Sequence, residues 1–186
     1  MLKGKIVTLR PVEEADLPLL YRHITDLENR GEFFGRTIAT MEELQRQFSA
    51  DGFWGEASTL VMIDNESDRP VGRIWWGPTV RYMDELEVGY ILYDRASRSK
   101  GAMTEALKMV TNYLFDTRPL RDQPVNRLRL CIRKGNVASL RVAEKAGYYH
   151  EATQRGAVGR GDRHYDMELY SVLRSDTRSY QEKTAC

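Results

Sequence analysis

The chain has 186 residues, 41% of them apolar and 30% charged, the size and balance of one globular domain that needs neither disulfides nor metal to bury its core. Twenty-eight basic residues face 27 acidic ones, and the formal net charge of +1 excludes a global field that would draw the protein to nucleic acid or a membrane. Cys131 sits in an apolar alternating run and Cys186 is the last residue. Neither has CxxC spacing or a histidine cluster nearby, so a reducing compartment, the cytoplasm, is expected, and no metal site. Met1 to Arg10 lacks the apolar stretch of a secretory signal, and no apolar run reaches the roughly 18 residues of a membrane span.

Lys5 to Arg10 alternates like a first strand, and Leu17, Leu20 and Ile24 give Glu13–Ile24 helical spacing. Thr40-Met41-Glu42-Glu43 has the form of a capping box and opens a helix toward Phe48. Asp51 to Ala57 reads as a glycine-rich loop, Ser58 to Ile63 as a strand and Asn65 to Arg69 as a turn. Val71–Trp76 and Glu85–Tyr93 read as two further strands. A helix starts near Lys100, with Met103, Leu107, Val110 and Leu114 on one face. Arg118 to Val125 holds two prolines and reads as a loop, and Leu128 to Ile132 as a strand. Asn136 to Lys145 is a short helix closed by Gly147. Tyr148–Thr153 and Tyr165–Leu173 make a closing hairpin, and the polar residues after Ser175 form a loose tail. This order predicts a largely antiparallel sheet with one parallel crossover.

Two stretches carry chemistry. In the first, Glu87-Val88-Gly89-Tyr90-Ile91-Leu92-Tyr93 is a strand that runs through a small, basic turn, Arg98-Ser99-Lys100-Gly101, into a helix at Ala102-Met103-Thr104. A helix N-terminus presents unpaired N–H groups and a positive dipole end, so with Arg98 and Lys100 beside it this is a ready anion site. Gly101 permits close backbone approach, and Thr104 adds a hydroxyl. A solvated basic turn that merely caps the helix fits these residues equally well, and the GxxxxGK[ST] pattern of a P-loop is absent. In the second stretch, Asn136 is a good N-cap with Ser139 on the first helical turn, and capping alone accounts for Asn136.

Together the stretches resemble the GNAT superfamily of N-acetyltransferases, and within it the RimJ/RimL-like ribosomal-protein N-terminal acetyltransferases. Glu87-x-Gly89-Tyr90 is similar to the family's Glu-x-Gly-Tyr strand, and Arg98-x-x-Gly101-x-Met103 to its coenzyme loop. Asn136-x-x-Ser139, followed by Glu144-Lys145-x-Gly147-Tyr148, is similar to its later helix. Leu9-Arg10-Pro11 with Asp16-Leu17 resembles the family's opening, and Asp166 to Tyr170 with Leu173 its last strand. Met103 departs from the usual Gly or Ala of the loop, and Ser99 from its usual first glycine.

The resemblance implies an α/β (α+β) fold, a mixed and mostly antiparallel sheet of about seven strands with about four helices. Residues 1–175 would form this one domain, with residues 176–186 as the tail. It implies acetyl-CoA as co-substrate. Pantetheine would pair with the backbone of Ile91, Leu92 and Tyr93, the pyrophosphate would lie on the N–H groups of Arg98, Ser99, Lys100, Gly101, Ala102, Met103 and Thr104, and Asn136 would bond the pantetheine arm. The Leu92 N–H would stabilise the oxyanion. Glu87 is the expected general base, and Ser139 the acid for the leaving thiolate, with Tyr148 as the second choice. His23, His150 and His164 have no metal or triad spacing and read as surface residues.

Phe33, Phe34, Phe53, Trp54, Trp75 and Trp76 fit core packing, or the lining of an apolar acceptor pocket. The acceptor would be a primary amine, on a small molecule or at a protein or peptide N-terminus, and the enzyme a monomer or homodimer. The competing reading is a non-catalytic acyl-CoA-binding sensor or partner-binding domain, against which intact Glu87, Asn136 and Ser139 speak.

Overall fold

The structure, a computed structural model, describes residues 1–28, 30–35, 38–80, 83–93, 96–117, 119–120 and 123–177. The tail beyond residue 177, Cys186 included, lies outside the described residues. The chain divides into two compact units: Met1–Trp76 with Tyr90–Ala106, and Gly77–Gly89 with Leu107–Cys186.

The first unit opens with β1 (Leu2–Lys3) and β2 (Val7–Pro11), continues with β3 (Ser58–Asp64) and β4 (Pro70–Pro78), and receives the end of β5 (Glu85–Leu92). β1 pairs β2, β2 pairs β3 and β3 pairs β4, all antiparallel, with Val61 opposite Arg73 and Thr59 opposite Trp75. Helix α1 (Leu17–Thr25) follows a 3-10 turn at Glu14–Asp16, and Pro18 sits in its first turn, where a missing N–H costs nothing. Asp16 anchors this entry: its carboxylate takes two hydrogen bonds from Arg10, at 2.7 and 2.9 Å, and one from the Glu13 N–H at 2.8 Å. Helix α2 (Met41–Asp51) begins as the sequence predicts, with the Thr40 hydroxyl accepting from the Glu43 N–H, and ends where Gly52 turns left-handed at φ +65°. Val12, Leu17, Leu20, Val61 and Tyr93 form a core cluster under these helices, with Phe48, Phe53 and Ile91 packed against it.

The second unit holds the start of β5, then β8 (Arg127–Arg133), β9 (Tyr149–Arg160) and β10 (Arg163–Leu173). β5 and β8 run parallel, with Glu85, Leu86 and Glu87 opposite Arg127, Leu128 and Arg129. β8–β10 and β10–β9 are antiparallel. The parallel crossover uses α3 (Ala102–Thr117), as parallel strands require. Its apolar stripe buries Leu107, Val110 and Leu114 completely, each worth about 1.5–3 kcal/mol. Helix α4 (Val137–Lys145) is capped by Asn136 and followed by Gly147 at φ +90°. Among the described residues the main sheet has eight strands, in the order β1-β2-β3-β4-β5-β8-β10-β9, so the mixed, mostly antiparallel α/β fold is as expected with one strand more in its sheet.

Three local differences have physical reasons. β1 is too short to alternate, and its pairing with Leu9 and Thr8 creates it. β6 (Pro119–Leu120) and β7 (Gln123–Pro124) are a minimal ladder inside the expected loop. β9 runs to Arg160 rather than Thr153, because nearly all of it is exposed and no apolar alternation marks its second half.

Glu105 on α3 closes the first unit. Its carboxylate accepts the backbone N–H groups of Lys5 at 2.8 Å, Ile6 at 2.7 Å and Val7 at 2.9 Å. A Cβ on Gly4 would collide with this carboxylate and with the Val7 carbonyl, so the chain needs glycine there. Burial opposes the Glu105 charge, yet the three donors prevail and hold the carboxyl below its ordinary value. Glu105→Ala should therefore destabilise the protein by about 2–3 kcal/mol in urea unfolding. Because the folded carboxyl is the more acidic, this contribution is full above the unfolded-state value of about 4.5 and is lost as pH falls below it, so the gap between variant and wild type should close in acid.

Candidate active site

The turn expected to hold a pyrophosphate lies wholly in the first unit. Ser99 and Gly101 both adopt left-handed backbone, at φ +63° and +86°, and α3 starts at Ala102. Successive N–H groups in such a turn, at a helix N-terminus, make a concavity suited to an anion. Arg98, Ser99, Lys100 and Gly101 are exposed, and Thr104 is half-buried. Met103 points its long side chain into the core, as does Ala102, so the departure from the family loop changes the packing under the turn and leaves the turn's N–H groups in place. The residues present therefore fit a diphosphate.

β5 leads into this turn. Among the described residues, the parallel register with β8 covers Glu85–Glu87 and Arg127–Arg129, whereas β5 itself runs on to Leu92. Of the three residues expected to meet pantetheine, Ile91 and Leu92 are half-buried. Tyr93 is committed elsewhere: its N–H donates to the Val71 carbonyl at 2.9 Å, and its buried ring stacks on His23 with centroids 3.9 Å apart. His23 is thus a packing partner rather than a free surface residue.

The second unit holds the residues expected to move protons. Glu85 and Glu87 on β5 face Arg127 and Arg129 on β8. Arg129 donates twice to Oε2 of Glu87, at 3.0 and 2.8 Å, and once to Glu85 at 3.1 Å. Arg127 donates to Glu85 at 3.0 Å and to Glu151 on β9 at 2.7 Å. The Glu87 side chain is 43% exposed and that of Glu85 only 5%. Arg129 is the residue that sequence reasoning missed; two acidic residues two apart, followed by two arginines two apart on the next strand, are the pattern that could have found it. Asn136 caps α4 by accepting the Ser139 N–H at 3.3 Å, and Ser139 is half-buried on the first turn. Tyr148 is 3% exposed, with its hydroxyl 2.8 Å from that of Thr111 on α3.

The aromatic residues divide. Phe34 meets Trp75 edge-to-face, with ring centroids 6.0 Å apart, and both are half-buried, as is Phe33. Trp54, 40% exposed, meets Trp76 at 5.7 Å. Trp76 has no exposed surface, so its expected place in an acceptor lining is replaced by one in the core. Alternation along β4 decides this, since Trp75 and Trp76 must point to opposite faces. Among the described residues, no group of three His, Cys, Asp or Glu side chains is arranged to hold a metal, and no helix is long and apolar enough to cross a membrane.

Gly101→Val tests the turn. At φ +86° a β-branched side chain costs about 1–2 kcal/mol, and its Cβ would press on Ile6 Cδ1 at 3.3 Å. The backbone should leave this conformation, and acetyl-CoA affinity should fall about tenfold or more by calorimetry; an unchanged dissociation constant would remove the diphosphate from this turn.

The comparisons with known proteins agree with this geometry. Residues 7–149 match the model of the acetyltransferase (GNAT) domain family. "Probable N-acetyltransferase YjcK" of Bacillus subtilis (strain 168) is 27% identical over 188 residues, covering 95% of this chain and 98% of the relative. The fold is that of a spermidine N-acetyltransferase from Vibrio cholerae, crystallised with CoA and spermine, with a TM-score of 0.77 at 16% identity, covering 93% of this chain and 98% of the other. It is also that of RimL, a ribosomal L7/L12 alpha-N-protein acetyltransferase in complex with coenzyme A, with a TM-score of 0.73 at 18% identity, covering 91% and 95% of the two chains. The chain belongs to the GNAT acetyltransferases, enzymes whose acyl donor is acetyl-CoA.

Proposed function

We propose that this enzyme acetylates a primary amine, on a small molecule or a protein or peptide N-terminus, by direct attack of the amine on the acetyl-CoA thioester. The observation that carries the reading is the half-exposed Glu87 carboxylate, fixed by Arg129 at the point where the β5–β8 register ends. An ammonium has no lone pair, so the acceptor must first lose a proton, and Glu87 takes it directly or through water. The amine nitrogen then bonds to the thioester carbonyl carbon. The Leu92 N–H stabilises the oxyanion while the C–S bond breaks, and Ser139 protonates the departing thiolate and recovers its proton from solvent. Ser139 is preferred over Tyr148 because the Tyr148 hydroxyl is interior and already bonded to Thr111. Asn136, whose Oδ1 is used in capping, keeps its amide N–H groups for the pantetheine arm.

The likeness to the RimJ/RimL branch rests on the sequence motifs, with Glu87, Gly89, Tyr90, Asn136 and Ser139 in the family's order. The cytoplasm suits a chain whose Cys131 is a free thiol on β8.

Saturating acetyl-CoA should raise the melting temperature, by the equivalent of about 2.7 kcal/mol at 100 times its dissociation constant. No shift with acetyl-CoA or CoA would sink the donor assignment. Glu87→Gln should keep the fold and donor affinity but lower turnover about 10²–10⁴-fold, with the loss shrinking as pH rises and solvent supplies free amine. Peptide α-amines, with ordinary pKa about 7.7–8.0, need the base less near neutrality than alkyl amines at about 10.4, so the size of the loss at pH 7 separates the two acceptor classes. Equal rates for variant and wild type from pH 6 to 9, with chemistry rate-limiting, would remove Glu87 as the base.

A further inference from the structure

We propose that Gly72 on β4 is a positioning residue for acetyl transfer: its missing side chain makes room for the Ile91 carbonyl, and the Leu92 N–H of the same peptide is thereby turned away from β4, toward the thioester oxygen. This deepens the acetylation reading and rests on its assignment of that N–H to the oxyanion.

Glycine inside a strand packs nothing and weakens it, so its presence marks a bulge or the close approach of another backbone. Both occur at Gly72, within the first unit. β3 and β4 pair antiparallel with Met62 opposite Gly72 and Ile63 opposite Pro70, so one step along β3 is answered by two along β4, and Val71 is the extra residue. Such a bulge bends its strand and increases the local twist. The Val71 carbonyl accepts the Tyr93 N–H at 2.9 Å, which ties the bulge to the residue that follows β5. The end of β5 then crosses Gly72 at close range. A Cβ at position 72 would lie 2.4 Å from the Ile91 carbonyl oxygen, 3.2 Å from Leu92 Cδ2 and 3.3 Å from Leu92 Cα. The oxygen is the Ile91 atom that makes this approach, so the C=O bond is aimed at Gly72.

The backbone of Gly72, unlike that of Gly101 or Gly147, is not left-handed, so space rather than φ requires glycine here. The atom nearest the missing Cβ belongs to backbone, which cannot swing aside as the tip of a side chain can. An alanine methyl would therefore force the Ile91–Leu92 peptide to rotate, or β5 to back away. That peptide is trans, so its C=O and N–H lie in one plane and point in opposite directions. The Ile91 carbonyl leans over β4, and the Leu92 N–H consequently faces away from it. Rotating the peptide moves both ends together. An oxyanion donor works only when it is held in advance about 2.7–3.1 Å from where the charge develops, so even a small rotation costs turnover. The Leu92 N–H is thus aimed by the absence of a side chain on the neighbouring strand.

The first test reads the thioester directly and needs no acceptor. Acetyl-CoA labelled with carbon-13 at its carbonyl is bound to the enzyme, and the carbonyl stretch is isolated by infrared difference spectroscopy against unlabelled acetyl-CoA. A hydrogen-bond donor on the oxygen lowers this frequency. Wild type should hold the band below its position in an apolar solvent, and Gly72→Ala should return it upward. No lowering in wild type, or an undiminished lowering in folded Gly72→Ala, overturns the positioning role; where the variant fails to fold, the wild-type band alone can still overturn it. The second test separates aim from general distortion. With para-methylbenzylamine or a tripeptide bearing a free N-terminus as acceptor, Gly72→Ala should lower kcat for thiol release about 10²–10³-fold, the size of one lost oxyanion donor. CoA has no thioester oxygen, so its dissociation constant by calorimetry should change less than about threefold. An undiminished kcat, or a loss of CoA affinity as large as the loss of turnover, overturns the role, since mere loss of packing weakens both alike. Thiol release with neither amine counts against amine transfer, while the infrared result still decides Gly72.

Discussion

The second unit depends on one nearly buried carboxylate, that of Glu85. It takes hydrogen bonds from Arg127 at 3.0 Å, from Arg129 at 3.1 Å and from the Thr79 hydroxyl at 2.8 Å. Leaving such a charge without its partners costs about 3–5 kcal/mol. A slip of β5 against β8 by one residue would turn Glu85 to the opposite face from both arginines, so the parallel register is fixed by this charge as well as by the apolar residues between. The arginines then extend the constraint outward. Arg127 reaches Glu151 on β9, where its guanidinium outweighs partial burial and, helped by Ser171, holds the carboxyl down at about 2. Arg129 reaches Glu87.

Much of this was legible in the sequence because the signals are local. Thr40 and Asn136 cap helices wherever their side chains can reach an N–H three residues on, and Gly52 and Gly147 end them by turning left-handed. β8 alternates apolar and polar residues throughout, and α3 shows its stripe from Met103 to Leu114. What escaped is non-local. Glu105 reads as an ordinary exposed helix residue, yet it binds three N–H groups about a hundred positions away. Arg129 gains its meaning only when two strands are set side by side. β9 has no apolar face to announce it.

The aromatic residues show how a residue list becomes a site only through a fold. Trp75 and Trp76 are adjacent in sequence and of one chemistry, but strand pleating sends one toward Phe34 and Arg73 and the other into the core.

Three carboxylates share two arginines in the second unit, and their surroundings set them apart. Glu85 is enclosed and bonded by both guanidiniums, so protonating it would break the register it maintains. Glu151 spends both oxygens on Arg127 and one of them again on Ser171, and its strong acidity makes it a poor proton acceptor near neutrality. Glu87 is held differently: both Arg129 bonds fall on a single oxygen, and much of its side chain faces solvent. Its neighbour Cys131 does not compete for the chemistry, because burial first and the nearby Glu87 charge second push that thiol up to about 11, so it stays protonated. The network thus holds two carboxylates in structural roles and leaves the third oriented but accessible, as the role proposed for Glu87 requires.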